Sequence, residues 1–233
     1  MTKKRNVLFI MLLLLVCSMV KAQEESPVGK FSAIARLGVT IANLSGNKIV
    51  ANGGDLDSKN KVGFLGGADV EYRVSKDLAV GLGVYSAQQG FRYPDFSTPS
   101  PKNDVPTSVG YHDYHVNLHF LNVPLYVKGY LFDGFAVMTG LQAGFFINSK
   151  ESFEATEMTS NKDGSTTYGE TTSYKGDYDC KKMDWSIPVG ISYEYMNVIL
   201  DARYHFGLTN ISKTDVSMKN KTFTVTVGYR FPL

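Results

Sequence analysis

The chain has 233 residues, a formal charge of +2 and 43% hydrophobic residues. Beyond the first 22 residues no apolar stretch reaches the roughly 18 residues of a membrane-spanning helix, which excludes an α-helical membrane protein. The chain beyond residue 22 also has no run of Lys and Arg, which excludes a typical nucleic-acid-binding surface.

The first 22 residues have the three parts of a secretory signal peptide. Basic residues at 3–5 precede an apolar run over 7–20, and Ala22 ends the segment. We expect cleavage after Ala22, a short segment over 23–30 and one domain over 31–233. The exported chain then has 20 basic and 22 acidic residues, a formal charge of −2.

Two cysteines leave two alternatives open. A lipoprotein signal would use Cys17, but Val16 stands where such signals have a small residue. The exported chain keeps only Cys180, so it has no intramolecular disulfide and no Cys-based metal site. Lys181 and Lys182 beside it would lower the pKa of a reactive thiol, whereas we expect an idle thiol.

Alternation of apolar and polar residues dominates the rest of the chain. It is clearest over 221–231, where every odd position from Phe223 to Phe231 is apolar. This period of two is typical of β-strands with one apolar face. The pattern predicts eight strands, near 31–44, 62–74, 78–91, 114–131, 135–148, 185–195, 198–208 and 221–231.

The connections between these strands alternate between short and long. Tight turns are expected at 75–77, 132–134 and 196–197. Four long polar connections lie between them, over 45–61, 92–113, 149–183 and 209–220. The layout is typical of an eight-stranded antiparallel up-and-down transmembrane β-barrel with short periplasmic turns, long extracellular loops and both termini in the periplasm.

Three local features refine the strands. A turn at 161–164 predicts that strands five and six continue as a hairpin above the membrane, whereas four prolines predict an irregular 92–113 loop. In strand four the apolar phase switches near Phe120 and Leu121, which predicts a β-bulge there. Pro124 and Pro188 lack a donor and are expected at local breaks in the ladder.

Glycine indicates which face of the strands points into the barrel. A soluble barrel and a membrane barrel differ only in which face is apolar. The polar face has little Lys but many glycines, which suits a crowded lumen: Gly38, Gly63, Gly67, Gly81, Gly83, Gly140, Gly144, Gly190, Gly207 and Gly228. The apolar face therefore contacts lipid.

Aromatic residues predict two interfacial girdles on that lipid-facing side. The girdle at the tight-turn end contains Tyr72, Phe132, Phe135, Tyr193, Tyr195 and Phe231. The girdle at the loop end contains Phe91, Tyr114, Phe145, Trp185 and Phe206.

The inward face also has charged residues of both signs. Charges inside so narrow a barrel must pair, because an uncompensated buried charge costs several kcal/mol. The predicted polar network of the lumen contains Arg36, Asp69, Glu71, Arg73, Lys128, Glu194, Asp201, Arg203 and Arg230. We expect a salt-bridged plug, and the alternative is a narrow or gated pore lined by the same residues.

With these segments in view, the chain resembles the PorT-like outer-membrane β-barrel family of Bacteroidota. The likeness spans essentially the whole exported chain and depends on the order of several short motifs: Leu37-Gly38-Val39, Asn43-Leu44-Ser45-Gly46, Tyr85-Ser86-Ala87-Gln88-Gln89-Gly90, Leu121-Asn122-Val123-Pro124-Leu125, Gly140-Leu141-Gln142-Ala143-Gly144-Phe145, Asp201-Ala202-Arg203-Tyr204, Gly207-Leu208-Thr209-Asn210-Ile211 and Gly228-Tyr229-Arg230-Phe231. One departure is that Pro232 and Leu233 follow the terminal aromatic residue. The resemblance implies the fold and an outer-membrane location. Its founding member is associated with type IX protein secretion, a role that the fold alone does not transfer.

No residue pattern predicts a catalytic or metal site. His115 and His119 share a strand face but stand ~13 Å apart, too far for one ion, and His112 does not complete a site. Some eight-stranded outer-membrane barrels are acyltransferases that use His, Asp and Ser near the outer rim. Ser108, His112 and Asp113 would be the corresponding residues here, but nothing orients them as a triad. We therefore expect a non-enzymatic protein with no cofactor and no nucleic-acid partner.

The long loops are the remaining surface for recognition. They are polar, contain tyrosines and are rich in Ser, Thr and Asn, a composition suited to contacting protein or glycan. The alternative is a set of shielding loops without a ligand. Outer-membrane lipid and lipopolysaccharide are the other expected partners, around the apolar exterior.

Overall fold

The computed structural model describes residues 28–46, 48–51, 54–100, 106–213 and 217–233. The signal segment expected at 1–22 lies outside these residues. Among the described residues, no helix is long and apolar enough to cross a membrane. The described chain forms these strands: β1 (Phe31–Ser45), β2 (Lys48–Ala51), β3 (Gly54–Asp57), β4 (Lys59–Arg73), β5 (Leu78–Arg92), β6 (Phe96–Pro99), β7 (Thr107–Phe132), β8 (Phe135–Ser160), β9 (Thr166–Gly176), β10 (Met183–Tyr195), β11 (Val198–Gly207) and β12 (Lys219–Pro232).

Eight strands form a closed antiparallel ring. Their order is β1, β4, β5, β7, β8, β10, β11 and β12, and β12 pairs again with β1. Ala35, for example, is opposite Ala68 on β4 and opposite Tyr229 on β12. Because no edge strand is left unpaired, every barrel strand has two neighbours. The predicted fold class and all eight predicted strands are confirmed.

The two ends of the barrel differ. The tight turns lie at one end, which we call the turn end, and the long connections lie at the other, which we call the loop end. Met196 and Asn197 have φ angles of 47° and 67°, as a two-residue hairpin turn requires. The first and last strands also meet at the turn end, where the amide of Leu233 donates to the carbonyl of Phe31 at 3.0 Å.

Large apolar side chains cover the outside of the ring. Leu37 is 73% exposed and Phe64 is 68% exposed, values that suit contact with lipid rather than with water. The aromatic girdle at the loop end is only partly as predicted, since Phe91 is fully buried and Tyr114 packs against the same interior cluster. Both of these residues face into the structure.

The loop end contains more β-structure than the sequence predicted. Strands β7 and β8 each run for 26 residues and continue beyond the ring, where β9 pairs with β8 as the predicted hairpin. The 92–113 connection is not irregular throughout, because β6 pairs with the start of β7. The β2–β3 hairpin likewise falls within the predicted 45–61 loop. Backbone pairing explains this extra β-structure, since the amide groups of loops this long need hydrogen-bond partners within the loops.

The predicted bulge in strand four is wrong. Pairing of β5 with β7 continues without a shift past Phe120 and Leu121. The irregularity in this region belongs to β8, where Ile147 is the extra residue opposite the step from His119 to Phe120. The phase therefore does not switch, and the apolar residues before Leu121 point into the barrel.

The two prolines do interrupt the ladder, as predicted. The β5–β7 pairing is broken at Val123 and Pro124, and the β8–β10 pairing is broken at Ile187 and Pro188. A proline has no amide hydrogen to donate to a neighbouring strand. In each case the opposite edge of the strand keeps its partners.

Candidate functional site

The nine charged residues expected in the lumen lie at two levels of the barrel interior. Six of them are at most 5% exposed, while the Glu194 and Arg230 side chains are 18% and 12% exposed and Arg73 is half-buried. The six most buried residues are Arg36, Asp69, Glu71, Lys128, Asp201 and Arg203.

The middle level is a cluster of two arginines and two aspartates. The Nε atom of Arg36 donates to Asp69 at 2.6 Å, and its Nη1 lies 3.4 Å from Asp201. Arg203 binds the same Asp201 carboxylate with Nε at 2.7 Å and Nη2 at 3.1 Å. Each carboxylate thus has a cationic partner, which buried charges require. The cluster links β1, β4 and β11 across the lumen.

The second cluster lies nearer the turn end and centres on Glu71. Lys128 Nζ is 3.0 Å from one carboxylate oxygen of Glu71, and Arg230 Nη2 is 2.8 Å from the other. Arg230 also binds Glu194 through Nε at 2.6 Å. The hydroxyl of Tyr130 donates to Glu71 at 3.0 Å. These contacts cross-link β4, β7, β10 and β12.

Arg73 has a different partner from the other cations. Its guanidinium carbon lies 3.4 Å from the centroid of the Tyr130 ring, a cation–π stack. Among the described residues, no carboxylate forms an ion pair with Arg73. The predicted lumen set has five cations and four anions, and the aromatic ring faces the extra cation.

Glycines opposite the charged residues make room for both clusters. Arg36 pairs with Gly228 on β12, and Arg203 pairs with Gly190 on β10. A Cβ atom at Gly228 would lie 2.9 Å from Arg36 Cγ, and one at Gly190 would lie 2.8 Å from Arg203 Cγ. Any larger residue at these positions would collide with the stem of the arginine.

A small polar cavity lies between the middle cluster and the loop end. It has about 30 Å³ for the centres of water molecules, which is room for two or three. Arg36, Arg203 and the polar residues Gln89, His205 and Thr222 are among its lining. These are hydrogen-bonding groups that water can satisfy, so the cavity suits solvent rather than a larger solute.

Four apolar residues close the lumen above this cavity. We call Phe91, Val116, Leu118 and Phe120 the apolar plug; each is at most 1% exposed. They pack within one cluster that continues into the loop end. The sequence analysis missed the plug, although its three β7 residues stand on the same alternate positions as the inward-facing Lys128. Ions need water or polar groups along their path, and the apolar plug offers neither.

Above the plug, the loop end forms a groove lined by aromatic rings. We call the side chains of Tyr93, Phe96, Tyr111, Tyr114 and Phe153 the aromatic groove; with Ile49, Val50 and Thr98 they line a cavity of about 330 Å³. The stacking follows from backbone pairing, since Phe96 is directly opposite Tyr111. Their ring centroids lie 4.8 Å apart, and those of Tyr114 and Phe153 lie 5.2 Å apart. The hydroxyl of Tyr114 donates to Glu151.

The three histidines of β7 have separate neighbours. His112 Nδ1 lies 3.0 Å from Asp95, His115 Nδ1 lies 3.4 Å from Asp113, and His119 Nε2 lies 2.9 Å from the Ser86 hydroxyl. In the described part of the chain, no group of three or more His, Cys, Asp or Glu side chains is arranged to hold a metal.

The residues considered as a triad are not brought together either. His112 pairs with Asp95 instead of Asp113, and its hydrogen bond lowers the pKa of Asp95. Ser108 is four positions away on the same strand, at ~13 Å. Burial raises the pKa of the Cys180 thiol to about 11, whereas neighbouring lysines would lower it.

A closed ring of eight strands with an apolar exterior and a polar, ion-paired interior defines a transmembrane β-barrel. Residues 21–213 match the family model described as "Outer membrane protein beta-barrel domain". The chain belongs to this family, and it is a protein of the outer membrane. The resemblance given in the sequence analysis is confirmed at this level.

Three solved structures illustrate the likeness. Ail, the attachment invasion locus protein of Yersinia pestis, is 18% identical with a TM-score of 0.44, and the match covers 88% of this chain and 100% of Ail. OprG from Pseudomonas aeruginosa is 11% identical with a TM-score of 0.39, covering 89% and 99%. Outer membrane protein W of E. coli is 15% identical with a TM-score of 0.36, covering 90% and 100%. No curated relative matches the chain in sequence.

The ion pairs of the lumen predict the order in which two substitutions destabilise the barrel. Arg203→Ala removes the bidentate partner of Asp201 at a fully buried site, so we expect a loss of about 3–5 kcal/mol in the free energy of unfolding. Glu194→Ala should lower the free energy of unfolding by less than half of that, because Glu194 is partly exposed and Arg230 keeps its ion pair with Glu71. Urea unfolding in lipid vesicles, followed by the fluorescence of the single tryptophan, measures both.

Lys162→Ala, on the exposed tip of the β8–β9 hairpin, is the control and should change stability by no more than about 0.5 kcal/mol. A larger loss for Glu194→Ala than for Arg203→Ala would contradict the assignment of the middle cluster as the main stabilising contact of the lumen.

Proposed function

We propose that this protein is a non-enzymatic surface-interaction protein of the outer membrane that acts through its loop end. The observation that carries the proposal is the contrast between its two halves. The ion pairs and the apolar plug fill the lumen, whereas the loop end is extended by paired strands and contains the aromatic groove. Side chains fill the interior of eight-stranded barrels of this kind, whereas barrels of 16 or more strands leave an aqueous channel.

The proposal includes an orientation. Outer-membrane barrels place short turns in the periplasm and long connections outside the cell. The loop end is then extracellular, and the N- and C-termini, which meet at the turn end, are periplasmic. In this orientation the aromatic groove faces the environment of the cell.

Protease shaving of intact cells tests this orientation. A cleavable tag inserted at Asp163, on the tip of the β8–β9 hairpin, should be cut, and a tag at Asp133, in the β7–β8 turn, should be spared. Permeabilised cells should expose both sites and serve as the control. Cleavage at Asp133 alone in intact cells would invert the topology.

The aromatic groove is the part of the loop end best suited to bind a partner. Tyr and Phe rings give large contact areas at a low cost in conformational entropy, as in antibody paratopes. The stacked pairs fix the positions of the rings before a partner arrives, which lowers the cost of ordering them. The lining combines these rings with a threonine and tyrosine hydroxyls, so protein and glycan are both fitting partners.

Site-specific photo-crosslinking on intact cells tests recognition by the groove. A photoreactive residue at Thr98, inside the groove, should capture a partner at least about fivefold more than one at Tyr168, which lies on the exposed β9 strand and is 68% exposed. Tyr111→Ala should abolish the difference, since it removes one wall of the groove. Equal capture at Thr98 and Tyr168 would refute the groove as the recognition element.

A narrow or gated pore is the second candidate function, and the polar cavity in the middle of the lumen favours it. The apolar plug and the Glu71 cluster argue against a pore, because they fill the lumen on the loop-end side and the turn-end side of this cavity. In planar bilayers we expect no stable conductance from the unmutated protein. The double substitution Leu118→Ser/Phe120→Ser removes the apolar barrier and serves as the comparison. Steady ion-selective openings of the unmutated protein would favour the pore instead.

We also propose a link to protein secretion, as in the PorT-like barrels that the chain resembles. It would act through the same loop end or through the periplasmic turns. Loss of exported cargo from a deletion strain would support it, and normal export would separate this protein from the secretion role without affecting its surface function.

A further inference from the structure

The polar cavity in the middle of the lumen has a cationic wall. Arg36 and Arg203 are among the described residues that line it, and none of those residues is acidic. The aspartates that pair with the two arginines, Asp69 and Asp201, lie outside this lining. The other polar groups of the lining are hydroxyls, amides and one imidazole. The ion pairs of the middle level therefore face the cavity with their arginines.

Two buried donors of this lining lack a partner within the protein. Among the described residues, no group accepts a hydrogen bond from Nη2 of Arg36 or from the hydroxyl of Thr226. Arg36 is 1% exposed and Thr226 is 4% exposed. A buried donor without an acceptor destabilises a fold, and a charged donor does so most. A bound species in the cavity would complete these contacts.

Strand pairing brings these donors to one part of the lumen. Thr226 on β12 is opposite Gly38 on β1 and opposite Asp201 on β11. Arg36 and Arg203 stand two residues from those partners on the same inward faces, so both are diagonal neighbours of Thr226, with Cα atoms ~7–8 Å apart. Two long cationic side chains and one hydroxyl can therefore reach a common point in the cavity.

The species at this point must accept hydrogen bonds. A guanidinium group has donors only, and a water molecule would bring two more hydrogens that need acceptors. A halide ion accepts from several donors and brings none. Its contacts with arginine are also charge-assisted, which makes them roughly twice as strong as neutral hydrogen bonds. Because a halide is close to a water molecule in size, a cavity for about two or three waters has room for one halide beside one or two waters.

The neutral groups nearer the loop end suit those waters. The Oε1 atom of Gln89, the Nδ1 atom of His205 and the hydroxyl of Thr222 also lack partners among the described residues. They include an acceptor as well as a donor, which is the combination that water satisfies. Thr222 lies four residues from Thr226 on β12, ~13 Å along the strand, so one ion cannot contact both.

We propose that the lumen holds one small monovalent anion, chloride, bound by Arg36, Arg203 and Thr226. The anion is a resident part of the middle cluster and not a transported solute, since side chains fill the lumen on both sides of the cavity. It enters while the barrel folds. The inference goes beyond the proposed surface function and is the same whichever end of the barrel is extracellular.

The chloride dependence of folding tests the site. In lipid vesicles at equal ionic strength, replacing gluconate by about 0.15 M chloride should lower the equilibrium constant of unfolding at least about tenfold, because only the folded state binds the ion. Thr226→Val should reduce this effect to less than about twofold, since valine has nearly the shape of threonine but no donor. Thr222→Val is the matched control: it makes the same change on the same strand and in the same lining, out of reach of the ion, and should keep the full effect.

Three results of this experiment would refute the proposal. Equal stability of the unmutated protein in chloride and gluconate would mean that no anion binds. Equal chloride effects in the two variants would place the ion elsewhere. Replacing sodium by potassium at constant chloride should change nothing, and a dependence on the cation would assign the cavity to a cation instead.

Crystals of the unmutated protein, refolded and grown in bromide, provide a readout that does not depend on stability. We expect an anomalous peak within hydrogen-bond distance of Arg36 Nη2 and the Thr226 hydroxyl, because bromide replaces chloride at halide sites. Solvent density without an anomalous peak at this point, or bromide at surface lysines only, would mean that water alone occupies the cavity and would overturn the proposal.

Discussion

The ion pairs across the lumen are the constraint on which the rest of this barrel depends. Eight strands enclose only enough space for side chains, so the interior must be filled by the residues that point into it. Arg36 fills the middle of this space by reaching two carboxylates, Asp69 and Asp201, that belong to different strands. Glycines opposite the arginines, such as Gly228 and Gly190, leave room for the long side chains. The glycine-rich polar face and the buried charges therefore depend on each other, because the glycines leave the space that the arginines fill.

The character of the lumen changes along its axis, and this change assigns different roles to the two ends. The turn end is held by the Glu71 cluster, the middle is polar, and the loop end is closed by the apolar plug. The plug is continuous with the aromatic residues above it, so packed side chains support the groove from below. Long connections built in this way are less mobile than free loops, because their backbone groups are paired and their rings are packed.

The eight strands and the lumen charges could be predicted because alternation is a local signal, whereas the apolar plug and the aromatic groove could not, because they depend on register. In β7 the sequence analysis assumed a lumen that is polar throughout, so it assigned Val116, Leu118 and Phe120 to the lipid side and introduced a bulge. The opposite assignment leaves Asn117 and His119 outside, which is what a strand leaving the membrane requires. The groove is non-local, since Phe96 meets Tyr111 only through strand pairing.

The barrel is also taller on one side, and this asymmetry positions the aromatic groove. Strands β7 and β8 have 26 residues each, whereas β12 and β1 on the opposite side have 14 and 15. From Asn117 back to Tyr114, β7 keeps its period of two, so Tyr114 and Val116 face the groove side while His115 and Asn117 face outward. The register shift between His112 and His115 then lets Tyr111 face the groove as well. The groove side of β7 is the continuation of its lumen side, which is why Tyr114 packs against the cluster that contains the apolar plug.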